Sequence, residues 1–157
     1  MREQLLAARN LVMGTTNILL LAVPDGWRVL EGPSQPEIDR WSERADQRWM
    51  SEGRATYRLV AVAPEAPEFA RAEVELRLTA TPSAPDVHDV RHRFTTVRRG
   101  LLPRREVPAA EVEIDCPFTG RRLRLELSPA MRGNRPTARP EDLQRLVHTM
   151  LEGLRCH

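Results

Sequence analysis

His88 and His92 stand four residues apart in APDVHDVRHRF. On a helix they would share a face with Asp89 close by, which offers two ligands to a transition metal. No third ligand follows from the sequence, so a solvated histidine pair is the simpler reading. His148 falls with Gln144 and Arg145 on the polar side of a late helical pattern, and His157 is the last residue. Cys116 and Cys156 are the two cysteines, too few for a disulfide framework and at a spacing that matches no zinc module. Cys116 shares a strand face with Val112 and Ile114 by alternation, which makes it most simply a small buried apolar group. Arg121 and Arg122 lie across the following turn, but no base stands ready to activate the thiol. A Cys116–Cys156 disulfide would require the last helix to end beside the hairpin that carries Cys116, and free thiols are the expectation.

Other chemistries are excluded by what the chain lacks. It contains no G-x-S-x-G, no paired glycine-rich phosphate loop and no H-E-x-x-H. All 24 of its cationic side chains are arginine, so a Schiff-base, P-loop or general-base lysine cannot occur. The sequence therefore assigns no catalytic residue, no metal ligand and no cofactor.

The arginines cluster. Arg91, Arg93, Arg98, Arg99, Arg104 and Arg105 form one group, and Arg121, Arg122 and Arg124 a second. Such groups can contact phosphates. The net charge is only +2 and aromatics make up 4% of the chain, which leaves little long-range field and few stacking platforms. A salt-bridged, solvated surface is the better reading, with Arg-mediated nucleic-acid binding as the alternative. Phe118 and Arg121 at a hairpin tip, with Arg98, Arg99, Arg104 and Arg105, are the candidate partner-binding residues.

These side chains need a scaffold. At 157 residues, with 41% hydrophobic and 29% charged, the composition fits one globular domain over 1–157. Glu3 and Arg9 spoil any signal-peptide core, and the longest apolar run, Ile18 to Val23, is far short of the ~20 residues that span a bilayer. A soluble, cytoplasmic protein is expected.

Residues 2–13 place Leu5, Ala8 and Val12 on one face and predict a short N-terminal helix stopped by Gly14. The Pro-Asp-Gly turn at 24–26 joins predicted strands 17–23 and 27–31. Ile38, Trp41, Ala45 and Trp49 recur at helical spacing after a Ser34/Glu37 capping box. Strands follow at 55–63 and 71–81, connected by the Pro-rich loop PEAPEF. In SAPDVHDVRHRFTTVRRGLL the β-branched residues favour strand. Val87, Val90, Phe94, Val97 and Leu101 recur at intervals of three and four, and helix is the reading chosen. Strands at 111–116 and 122–127 pair as a hairpin through Pro117–Gly120. Ile114 then faces Leu123 and Val112 faces Leu125 on one side, while Asp115 meets Arg122 and Glu113 meets Arg124 on the other. Arg121 stands opposite Cys116. Leu143, Leu146, Val147, Met150, Leu151 and Leu154 define a closing amphipathic helix with Pro140, Glu141 and Asp142 at its start. The fold class expected is α+β. About six antiparallel strands form three strand–strand–helix units, with helices packed on the sheet and a short N-terminal helix in front.

The early AVPDGWRVL, with Pro24 and Trp27, the late FTGRRLRLEL hairpin with Gly120, and the closing Glu152-Gly153-Leu154-Arg155 together resemble the PsbP-like superfamily, including the DcrB-like small bacterial proteins. The chain departs from that pattern in its extra N-terminal helix and lack of a secretory signal. The resemblance implies a mostly non-enzymatic binding protein and supplies no catalytic residue. The functional expectation is a non-enzymatic protein-binding module, adaptor or chaperone-like, acting on another protein and compatible with a homodimer. An enzyme with a dispersed site is the third alternative, because spatial convergence is invisible in sequence.

Overall fold

The computed structural model of the protein describes residues 1–10, 14–31, 54–63, 66–100 and 102–157. Alternating apolar and polar residues dominate these segments, and the chain answers with strands. The order is β1 (Arg2–Asn10), β2 (Gly14–Val23), β3 (Trp27–Glu31), β4 (Arg54–Ala63), β5 (Ala66–Pro82), β6 (Asp89–Arg99), β7 (Arg105–Cys116), β8 (Arg121–Pro129), β9 (Met131–Arg132), β10 (Arg135–Pro136) and a helix α1 (Pro140–Glu152). Strands β3 to β8 form one antiparallel sheet in the order β3-β4-β5-β8-β7-β6, and β1-β2 and β9-β10 are separate two-stranded pairs.

The fold is therefore mostly β, which corrects the expected α+β class with several helices packed on the sheet. The N-terminal helix is absent: residues 2–10 are a strand, in which Leu6 is buried and Leu5 is 43% exposed, the alternation of a strand and not of a helical face. Residues 83–100 are not a helix either. Val90, His92 and Phe94 face the core side opposite Ile114, Val112 and Ala110, while Arg91 and Arg93 face out. On this outer strand the inward positions are only partly covered, so the apolar alternation is weak and the chance spacing of three and four outweighs it. Part of the Pro-rich loop is also strand, since β5 begins at Ala66. The helix expected over Ile38, Trp41, Ala45 and Trp49 lies outside the described residues.

Other expectations hold. The β7–β8 hairpin has Ile114↔Leu123, Val112↔Leu125, Asp115↔Arg122, Glu113↔Arg124 and Cys116↔Arg121 in register. The turn at Pro24–Gly26 forms, with Gly26 at φ 81° and Trp27 N–H donating to Pro24 O at 3.1 Å. It hands the chain from the β1-β2 pair to the edge of the six-stranded sheet, because β3 pairs with β4 and β2 with β1. Helix α1 buries Leu143, Leu146, Val147 and Met150.

One face of the large sheet is dry. Leu59, Val74, Leu76, Leu78, Val112, Ile114, Leu123, Leu125 and Leu127 join Leu19, Leu21 and Val23 of β2 and the inner stripe of α1 in one cluster. Each fully buried leucine of this kind contributes roughly 1.5–3 kcal/mol. The other face is a lattice of opposite charges. Glu111 on β7 is bound by Arg93 of β6 at 2.6 Å and by Arg124 of β8 at 3.0 Å. Asp115, almost fully buried, accepts from Arg122 and, at 2.8 Å, from Arg91. Among the described residues no helix is long and apolar enough to cross a membrane.

Candidate metal centre

Four potential ligands meet at one corner of this fold. His88, Cys116, Cys156 and His157 each offer one atom, and these atoms all lie within 4.8 Å of one another. Three separate pieces of chain deliver them. Cys116 ends β7, on the dry face two positions beyond Ile114. His88 immediately precedes β6; the register that sets Asp89 against Asp115 brings it across from Cys116 at the next antiparallel step. Cys156 and His157 arrive from beyond α1. There the chain turns back onto β2, where Arg155 and Leu20 exchange two backbone hydrogen bonds of 2.8 and 2.9 Å.

Gly153 makes that return fit. A Cβ at this position would meet the Ala22 Cβ at 2.6 Å, so the chain passes β2 at a separation open to glycine alone. One residue past the Arg155–Leu20 bridge, Cys156 points inward and is buried, while His157 stays exposed.

The distances describe a compact cage. His88 Nε2 lies 3.1 Å from Cys156 Sγ. His157 Nδ1 lies 3.4 Å from Cys156 Sγ and 3.7 Å from Cys116 Sγ. Around a tetrahedral ion with sulfur at about 2.3 Å and nitrogen at about 2.0–2.1 Å, ligand atoms stand about 3.4–3.8 Å apart. The cage thus needs adjustments of a few tenths of an ångström at these edges. Both cysteines are free and buried, whereas both histidines are exposed, so the thiols form the inner half of the site and the imidazoles the outer half. Phe118 closes the outside: its ring packs on that of His157 with centroids 4.4 Å apart.

The two thiols differ electrostatically. Burial opposes ionisation of Cys116, but hydrogen bonds from the Cys156 thiol, from the Thr119 hydroxyl and backbone, and from His157 outweigh it and bring its pKa down to about 7. Burial pushes Cys156 up to about 12, helped by its hydrogen bond to Cys116 and by the charge there. Cys116 is thus the more readily ionised of the two sulfurs.

The remaining candidates fall elsewhere. His92 does not join His88: on an extended strand, residues four apart are separated by about 13 Å. It packs instead against Phe94 and against His148 of α1, at ring-centroid distances of 5.9 and 6.2 Å. Arg91, Arg93, Arg98 and Arg99 each pair with a carboxylate, so much of the first arginine group is internally neutralised. Arg99 also donates to the buried Ser128 Oγ at 3.1 Å. Arg104 and Arg105 are exposed, and Arg121 is half-buried at the start of β8. Phe118 is 75% exposed and belongs to the corner where the four ligands meet.

No protein-family model, no curated protein and no solved structure matches this chain. The likeness to the PsbP-like superfamily stays a matter of sequence pattern, and the site speaks through its own geometry.

Sequence reasoning missed the cluster for a physical reason. Its four ligands come from three segments far apart in the chain, and their meeting depends on the β6–β7 register and on the bridge to β2. The helix reading of 83–102 paired His88 with His92 and hid its partnership with Cys116. The visible signal was the adjacent Cys156-His157 pair just beyond a secure amphipathic helix.

Proposed function

We propose that this protein is a non-enzymatic, zinc-binding β-sheet module whose metal fastens the segment after α1 to the corner of the sheet. The observation that carries the reading is the convergence of two thiols and two imidazoles within 4.8 Å from three separate segments. Two sulfurs and two ring nitrogens suit a borderline-soft, tetrahedral ion such as Zn²⁺. Four protein ligands fill that coordination sphere and leave no position for a water or a substrate, as in structural rather than catalytic zinc sites. The dry, close-packed surroundings of the two sulfurs support the same role.

The protein-binding role rests on the surface beside the metal. Val87 and Phe118, 69% and 75% exposed, are large apolar side chains next to His88 and His157. Metal loading would fix both imidazoles and thereby the contour of that patch. The Arg-mediated nucleic-acid alternative is weakened by the carboxylates that occupy Arg91, Arg93 and Arg99.

The test is metal analysis of the purified protein after loading with Zn²⁺ and removal of excess. One equivalent of zinc is expected, and Co²⁺ in its place is expected to show the intense visible bands of a tetrahedral site with thiolate-to-cobalt charge transfer. Cys116→Ser and Cys156→Ser should each abolish the charge-transfer intensity or halve it. Zinc bound at no more than trace stoichiometry, or an octahedral cobalt spectrum, would refute the reading. A pull-down that recovers no stoichiometric partner with loaded or metal-free protein would remove the protein-binding part alone.

A further inference from the structure

The four ligands are not chemically equivalent, because two of them can leave the metal by bonding to each other. Cys116 and Cys156 are both free, both buried and within 4.8 Å at sulfur. They are the only cysteines in the sequence, so a thiol oxidised here has one intramolecular partner and no competing one. The two residues are held differently. Cys116 ends a strand flanked by β6 and β8, whereas Cys156 sits one residue beyond a two-bond bridge to β2. The movement that brings the sulfurs to the bonded distance of about 2.05 Å therefore falls mainly on the Cys156 segment.

Resting on the zinc-binding reading above, we propose that the Cys116–Cys156 pair is a peroxide-driven release for the metal. The oxidant is hydrogen peroxide or a small alkyl hydroperoxide. The Cys116 sulfur attacks one peroxide oxygen, the O–O bond breaks, and the departing hydroxide (alkoxide from an alkyl hydroperoxide) takes a proton from solvent to leave as water (or alcohol). Cys116 is then a sulfenic acid. The Cys156 sulfur attacks the Cys116 sulfur, the S–S bond forms, the S–O bond breaks, and the hydroxyl leaves with a second proton as water. Two thiolates lose two electrons in total, the peroxide gains them, and Zn²⁺ departs without changing oxidation state. Two imidazoles alone do not retain the ion, so removal of both sulfurs empties the site in one event.

Burial selects the oxidant. Both sulfurs lie beneath the exposed rings of His88 and His157, with Phe118 packed on the outer side. The two rings stand edge to face with centroids 5.9 Å apart, and this bulk over the sulfurs favours a small peroxide over a peptide-sized disulfide such as oxidised glutathione.

The experiment uses the full chain loaded with one equivalent of Zn²⁺. Peroxide is added while a colorimetric indicator follows free zinc, and samples are alkylated and weighed by intact mass spectrometry. The expected result is two thiols lost per zinc released and a monomeric product two hydrogens lighter, with zinc uptake restored by dithiothreitol and fresh Zn²⁺. Oxidised glutathione at equal concentration should release zinc at least ten-fold more slowly. In Cys156→Ser, oxidation should stop at a Cys116 sulfenic acid that dimedone labels. Zinc retained with both thiols intact overturns this proposal and leaves the zinc reading standing. Release accompanied by sulfinic acid or by intermolecular disulfides also overturns it. A chain that takes up no zinc at all removes the reading on which the proposal rests.

Discussion

Gly153 passes so close to Ala22 that a single methyl group on the glycine would sit 2.6 Å from the alanine Cβ. The contact lies two residues before the bridge that anchors the chain end to β2, so it sets where Cys156 and His157 are delivered. Gly153→Ala should therefore cost about 1–3 kcal/mol of stability through overpacking, measured by chemical denaturation. It should also accelerate zinc transfer to a chelator, even though position 153 touches no ligand. Unchanged chelator kinetics would show that the return of the chain is not what positions the site.

Phe118 offers the complementary case. Its ring covers His157 but is itself mostly exposed, so Phe118→Ala should leave the denaturation midpoint almost unmoved. Zinc loss to a competing chelator is expected to quicken several-fold, because the imidazole loses the surface that holds its orientation. A loss of global stability comparable to a core truncation would contradict this assignment.

Glu111 ties three strands together from the wet face. The hydrogen bond from Arg93 holds its carboxyl below the ordinary value of 4.5, burial opposes the shift, and Arg124 adds to it. Asp142 is likewise held below 3.8, chiefly by its hydrogen bond with Arg139. For a carboxylate lowered in the folded state, the stabilisation is complete above the unfolded value and is lost as pH falls through the folded one. Stability should thus be flat above about pH 5 from these two groups and decline as pH falls below 4.5, with Glu111→Gln showing a shallower decline. Titrating the denaturation midpoint of both proteins from neutral to acidic pH makes the comparison, and equal slopes would remove Glu111 from the account.

The inner face should respond on a different scale. Leu125 is fully buried in the middle of β8, between Leu78 and Val112, and Leu125→Ala is expected to cost 2–5 kcal/mol. Arg98→Ala, whose guanidinium is 74% exposed and 3.7 Å from Glu106, should cost no more than about 0.5 kcal/mol. Thermal denaturation of the two variants side by side checks both.

The contrast explains which parts of the molecule could be read from its sequence. The register of the β7–β8 hairpin was legible, though its strands run further than the 111–116 and 122–127 expected, because Val112, Ile114, Leu123 and Leu125 alternate against Glu113, Asp115, Arg122 and Arg124, and only one register satisfies both faces. Helix α1 was legible because its apolar stripe is long and its start is marked by Pro140. Strand β6 was not, because an edge position lets inward residues such as His92 be polar, and its Val and Phe spacing imitates a helix. Strand β1 failed for a related reason, since Leu5 and Leu6 are both apolar although only Leu6 is buried. The metal-ligand set depended on these two misread regions. The placement of His88 required β6 to be a strand, and the placement of Cys156 required β1-β2 to form the pair on which the chain end docks.

Strand β6 is one of the two outer strands of the six-stranded sheet and has β7 as its neighbour. Outer strands are where local opening begins, and their amides exchange with solvent faster than those of central strands. His88 immediately precedes β6, so an ion shared with Cys116 would pin that end of the strand to β7 like a rivet at the corner of a ribbon. The backbone amides of Val90 and its neighbours would then exchange slowly in the loaded protein and quickly in the metal-free one, while those near Arg99, at the far end, would exchange alike in both.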